Sequence, residues 1–203
     1  MCILTSVLLW YFSPAGDEII FNYLAFSTEN LLQGKVWTLI TALFIHSDVL
    51  HLGGNMFVLF IFGNTLEDEL GRNRVATAFF IGGITSFLLS SYFYSSETFL
   101  LGASGAIFTL TALVMLVKPL RFSFFFFMPQ GLVALIYFVY NVAAVYFKVQ
   151  SDVAYVAHVI GFLVGIPLGI GWSKEWIKNF LITIGLLILY YIIQYIFVIF
   201  LIQ

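Results

Sequence analysis

The chain has 203 residues, of which 62% are hydrophobic, 19% aromatic and only 9% charged. A soluble domain carries about 25% charged residues, so eight Lys and Arg with ten Asp and Glu cannot cover a water-facing surface; a cytosolic enzyme, a disordered tail and a disulfide-stapled secreted module are excluded. The net charge of −2 leaves no basic stripe for nucleic acid, and the single cysteine, Cys2, has neither a disulfide partner nor spaced companions for a metal.

The charges are so sparse that they divide the chain into membrane spans of about 20 residues. The first apolar segment, Met1 to Phe12, is broken by Ser13-Pro14-Ala15-Gly16. At the helical rise it reaches about 18 Å against a hydrocarbon core of about 30 Å, which is expected of a first helix truncated at its start. It has no basic leader or small-residue cleavage site, so it does not read as a signal peptide. From Asp17 to Thr41, Asp17, Glu18, Glu29 and Lys35 are interleaved with Phe21, Tyr23, Phe26 and Trp37. This mixed, aromatic-rich character predicts an interfacial excursion, with an ordinary loop as the alternative.

Six spans follow: Val49 to Leu66, Val75 to Ser96, Thr98 to Val117, Phe122 to Phe147, Val153 to Ser173 and Asn179 to Gln203. The run Phe124 to Phe127 reads as the apolar start of the fifth helix. With Met1 to Phe12 counted as the first, the loops carrying Arg72, Arg74, Lys118, Arg121, Lys174 and Lys178 lie on one side. The positive-inside rule makes that side cytoplasmic, with the amino terminus inside and the carboxyl terminus outside. No internal repeat or linker divides the chain, which reads as one domain over residues 1–203.

Polar side chains inside a span are expensive, so each is a candidate for function. Three histidines and one asparagine stand out. His51 and Asn55, four apart, share one face of the second helix, and His46 lies just before it as an interfacial, structural residue. Ser104 sits among Gly102, Ala103 and Gly105 at the start of the fourth span, where small neighbours expose its hydroxyl. His158 lies near the start of the sixth. The second, fourth and sixth helices all begin on the outer side, so these polar groups share one depth. On the sixth helix Gly161, Gly165 and Gly169 recur every four residues as a face for close packing. His158 lies on that face, and the glycine-flanked start of the fourth helix is its natural partner. This brings His158 within reach of Ser104, as a base and a nucleophile require. Taken singly, Ser104 reads as a packing serine and His158 as an interhelical hydrogen-bonder or a metal ligand; the pairing, together with the order of the motifs around these residues, reverses both.

Gly102-Ala103-Ser104-Gly105, His51-Leu52-Gly53-Gly54-Asn55 and Ala157-His158-Val159-Ile160-Gly161 match, in order, the GxSG, HxxxN and AHxxG motifs of the rhomboid family of intramembrane serine proteases. The chain resembles that family over roughly Trp37 to Trp172, Gly63 to Arg72 included. Trp37-Thr38 stands where the family commonly has Trp-Arg, so anchoring of the first outer loop differs.

The resemblance implies an all-α polytopic membrane protein, with a rhomboid-like six-helix core over about residues 1–173 and an additional carboxyl-terminal helix over about 179–203. It implies a serine endopeptidase that cleaves transmembrane protein substrates near the outer leaflet, with Ser104 and His158 as a dyad. It further implies that Asn55 and His51 stabilise the oxyanion. Asp48 and Asp152 lie at helix mouths and are not expected as a third member. No cofactor or metal is expected, since HExxH is absent. The expected location is the cell membrane, with the site opening outward. The non-enzyme alternative is an inactive rhomboid-like protein that binds or retains membrane clients.

Overall fold

The structure is a computed structural model that describes residues 1–11, 19–150 and 153–202, with the side chains of 201 and 202 left aside. The break at Ser13 to Gly16 and the charges Asp17, Glu18 and Asp152 lie outside the described residues. Seven longer helices carry the described fold: α1 (Cys2–Tyr11), α2 (Val49–Leu70), α3 (Arg72–Ser90), α4 (Ser104–Val117), α5 (Gln130–Tyr146), α6 (Tyr155–Trp172) and α7 (Trp176–Ile202). The chain is an all-α integral membrane protein. By length and composition α2, α6 and most of α7 can cross a bilayer, whereas α1, α4 and α5 are shorter apolar helices.

The centre of the fold is α4, whose residues from Gly105 to Leu116 are all buried. Protein rather than lipid covers this helix on every side, supplied by α2, α3, α5, α6 and α7. Its closest neighbour is α6. A Cβ built on Gly161 would run into the carbonyl oxygen of Gly105, and one on Gly165 into that of Thr109. The Thr109 hydroxyl also donates to the Gly161 carbonyl at 2.7 Å. The two backbones therefore touch, which only a small-residue face permits. Gly161→Leu should cost at least about 3 kcal/mol, the upper range for overpacking, because backbone cannot yield as a side chain can. Thermal unfolding in detergent would read this loss; an unchanged midpoint would mean that the two helices are not held in this contact.

Three boundaries lie six or more residues from the expected ones. The fourth helix begins at Ser104 rather than Thr98. Leu100 is paired in extended form with Phe26, and Gly102 donates its N–H to Ala42 at 2.8 Å. Gly102 has φ +104°, left-handed backbone that ends any helical path there. At 14 residues α4 is about 21 Å long, so its start lies well inside a core of about 30 Å. The fifth helix begins at Gln130 rather than Phe122. Phe122 to Pro129 forms a small hairpin, β1 (Phe122–Ser123) antiparallel to β2 (Met128–Pro129), with Phe127 at φ +53°. Phe126 of the hairpin packs on Phe57 and Phe62 of α2 and on Tyr137 of α5. The phenylalanine run is thus not helix: Phe126 fills the space between α2 and α5, while Phe124, Phe125 and Phe127 are exposed. The second loop-bounded helix, α3, also ends earlier, at Ser90.

Basic and acidic side chains meet at one end of the bundle, where Lys118 pairs with Glu69 and Arg121 with Asp68, each at 2.7 Å. At the opposite end, residues 19–44 form helical turns that fold back on the bundle and bury Phe26. Lys35 holds this segment, donating to the Asn22 carbonyl at 2.7 Å and to Asn30 Oδ1 at 3.0 Å, while Trp37 donates to the Tyr23 carbonyl at 2.8 Å. Anchoring of this loop falls to Lys35 and Trp37, with Thr38 buried on the Lys35 carbonyl. The long α7 is largely exposed, as lipid contact allows. Its buried Asn179 fixes it by donating to the Leu116 and Val117 carbonyls at 2.8 and 3.1 Å, satisfying orphan groups at the end of α4.

Candidate active site

Asp48 starts α2. Its Oδ1 accepts the His51 backbone N–H at 2.8 Å, an N-cap that puts His51 and Asn55 on the first turns, one above the other. The capping bond from His51 and the hydroxyl of Ser47 hold the Asp48 carboxyl below its ordinary range. Ser47 Oγ donates to Asp48 Oδ2 at 2.7 Å and lies 3.1 Å from His51 Nδ1. With its one proton given to the carboxylate, Ser47 accepts from His51, which places hydrogen on Nδ1 of that ring.

Gly102 lies against both residues. A Cβ there would be 2.7 Å from His51 Cε1 and Nε2 and 3.5 Å from Asn55 Nδ2, so the Gly102 position requires glycine for space as well as for φ. This close approach brings the backbone leading to Ser104 up to the polar face of α2. Ser104 is the first residue of α4, half-buried, at the positive end of the helix macrodipole. From the other side, the Gly161 contact on Gly105 sets α6 beside it and His158 one turn above.

Ser104, His158, His51 and Asn55 all line one cavity of about 1050 Å³. Trp10, Phe21, Asp48, Phe99, Ile107 and Tyr137 also line it. Asn55 is buried and, among the described residues, its Nδ2 has no hydrogen-bond partner. An unpaired buried donor costs about 1–3 kcal/mol, and here it faces a cavity where an acceptor can arrive. No hydrogen bond joins Ser104 to His158 among the described residues. Such contacts are often long before substrate binds.

His46 lies one layer behind. It is buried, its Nε2 accepts the Ala103 N–H at 3.4 Å, and its Nδ1 lies 3.2 Å from Ser6 Oγ, which in turn donates to the Phe44 carbonyl. The chain of donors ties α1 to the peptide that precedes Ser104. Burial first, and the neighbouring His51 second, push the His46 pKa from 6.5 down to about 4, with Asp48 opposing. The unfolded chain therefore takes up this proton near pH 6.5 and the folded protein only near 4. Stability from this residue is complete above the first value and falls as pH drops between the two, by about 3 kcal/mol. Thermal unfolding in detergent at pH 7.5 and 4.5 should show this fall in the wild type and a smaller one in His46→Gln; equal slopes would remove His46 as its source.

Two neighbours of His158 were not anticipated. Phe108 stacks on the imidazole with ring centroids 4.5 Å apart and planes at 10°. It lies four residues after Ser104, so the helical repeat that pairs His51 with Asn55 also points it at the site. Asn141 of α5 places its Oδ1 2.8 Å from His158 Nδ1. The cost of a polar group in an apolar span marks Asn141 as it marks Asn55; one asparagine was too few. Asp48 caps a helix and does not touch His158. Among the described residues no group of His, Cys, Asp and Glu converges as a metal site.

A family profile described as the Rhomboid domain matches residues 33–175. The mitochondrial RHOMBOID-like protein 6 of Arabidopsis thaliana is 37% identical over 84 residues, 41% of this chain and 27% of that protein. RHOMBOID-like protein 5 of the same plant is 32% identical over 138 residues, 68% of this chain and 44% of its own length. Rhomboid-like protease 1 of Toxoplasma gondii is 26% identical over 144 residues, 70% of this chain and 49% of its own. The matches span less than half the length of each of these relatives.

Proposed function

We propose that this chain, which belongs to the rhomboid family, is an intramembrane serine endopeptidase acting on transmembrane proteins through Ser104 and His158. The observation that carries the reading is one cavity lined by a half-buried serine at a helix start, a buried histidine and an amide donor that is unpaired among the described residues. The Toxoplasma relative is named a protease, which points the same way.

In this mechanism His158 Nε2 takes the proton of Ser104 as Oγ attacks the scissile carbonyl. The negative charge grows on the carbonyl oxygen, toward Asn55 Nδ2 and the backbone N–H of Ser104. His158 then returns the proton to the leaving amine as the C–N bond breaks. Water, deprotonated by the same ring, attacks the acyl ester, and the proton passes back to Ser104 as the second product leaves. His51 is a weaker donor than Asn55, because its hydrogen sits on Nδ1 unless the ring is also protonated at Nε2. A helical substrate hides its carbonyls, so it has to unwind locally, and Gly or Pro near the cleaved bond lowers that cost. The basic end, with Arg72, Lys118, Arg121 and Lys174, lies on the cytoplasmic side and the cavity opens outward.

The test is cleavage in proteoliposomes of single-span proteins carrying helix-weakening residues near one membrane face, with Ser104→Ala in parallel. Cleavage by the wild type alone supports the endopeptidase. Stable capture of the same proteins without cleavage by either form would instead identify an inactive, client-retaining relative.

A further inference from the structure

We propose that Asn141 is the positioning residue for His158, fixing the tautomer and the plane of the ring from which the proton of Ser104 is taken. The inference rests on the endopeptidase reading above, in which a base needs a third group to orient it.

Asn141 lies in the middle of α5 and is 4% exposed; His158 is 9% exposed. The amide cannot be turned end for end, because its Nδ2 already donates to the Tyr137 carbonyl at 2.8 Å. Its Oδ1 therefore faces His158 Nδ1 at 2.8 Å, and a carbonyl oxygen only accepts. Nδ1 must carry the hydrogen, which leaves Nε2 of the neutral ring as the lone pair available to Ser104. Phe108 lies flat on the imidazole and Tyr155 meets it edge-on with centroids 6.5 Å apart. The stack fixes the ring plane and the amide fixes rotation within it. The other titratable side chains that line the cavity are His46, Asp48, His51, Tyr94 and Tyr137, and among the described residues the hydrogen-bond partner of the His158 ring is Asn141 and not a carboxylate. A neutral amide orients the ring without the desolvation cost of a buried carboxylate.

Two variants of the full chain separate this role from helix packing. Asn141→Leu keeps the volume and removes the acceptor; kcat should fall on the order of 10²-fold with KM unchanged. That is less than the roughly 10⁴-fold loss when a soluble triad is locked in the wrong tautomer, since a freed ring still samples the right one. Asn141→Asp restores an acceptor for Nδ1–H but cannot donate to Tyr137, and it should return kcat to within about tenfold of wild type. Wild-type kcat in Asn141→Leu, or equal losses in both variants, would overturn the proposal.

A second measurement stands apart from turnover and from the folding of either variant. Nitrogen-15 histidine spectra of the wild-type chain, with His158 assigned by its loss in His158→Gln, should show the Nδ1-protonated tautomer. An Nε2-protonated ring would sink the proposal. Should the wild type cleave nothing while the spectrum shows Nδ1–H, the endopeptidase reading fails and the Asn141 to His158 contact stands.

Discussion

Ser104→Ala should abolish turnover while leaving the fold intact. Ser104 sits beside Gly105, in backbone contact with Gly161, and is half-exposed to the cavity, so loss of one hydroxyl opens no void in the core and breaks none of the hydrogen bonds described for the helices. What is lost, under the proposed mechanism, is the nucleophile. In soluble serine proteases removing it costs about 10⁶ in kcat, and a similar loss is expected here. The check is cleavage in proteoliposomes together with thermal unfolding in detergent. Turnover in the variant within tenfold of wild type would eliminate a serine mechanism, and a large drop in the unfolding midpoint would mean that the hydroxyl holds structure.

Asn55→Ala should slow chemistry about 10²- to 10³-fold, equivalent to roughly 2.7–4 kcal/mol, because it removes a donor aimed at charge that exists only in the transition state. The structure sharpens the alternative. An asparagine that ties helices together would have its amide paired, at a stabilisation of about 0.6–1.7 kcal/mol, yet Nδ2 of Asn55 has no partner among the described residues. Loss of a buried unsatisfied donor is therefore expected to leave the unfolding midpoint unchanged or raised. Single-turnover cleavage with a parallel unfolding scan separates the cases. A clear stability loss with near-normal chemistry would assign Asn55 to helix packing and remove it from the oxyanion site.

The helical, membrane character of the fold and the family were legible in the sequence because each rests on local signals: runs of apolar residues between charges, and three short motifs in fixed order. The points that were not legible depend on contacts distant in sequence. Thr98 to Ala103 is as apolar as a helix, and it stays outside one because Phe26 and Ala42, some 60 to 75 residues earlier, take up the backbone hydrogen bonds of Leu100 and Gly102. The four phenylalanines from Phe124 count toward a span by hydropathy alone, although Pro129 just before α5 carries the mark of a helix start. Gln130, Asn141 and Asn179 are polar residues in apolar runs and were open to the same reasoning that marked Asn55. Of these, Asn141 could be joined to His158 only once α5 and α6 were seen packed side by side.

Under the proposed mechanism Ser104 is a nucleophile made reactive by His158 in this cavity. The most direct test is covalent labelling of the purified full chain in detergent by a fluorophosphonate, with the adduct mapped by mass spectrometry. One adduct on Ser104 is expected, greatly slowed in His158→Ala while that variant remains folded. Labelling of the wild type at another residue, or equal labelling of Ser104 with and without His158, would contradict it.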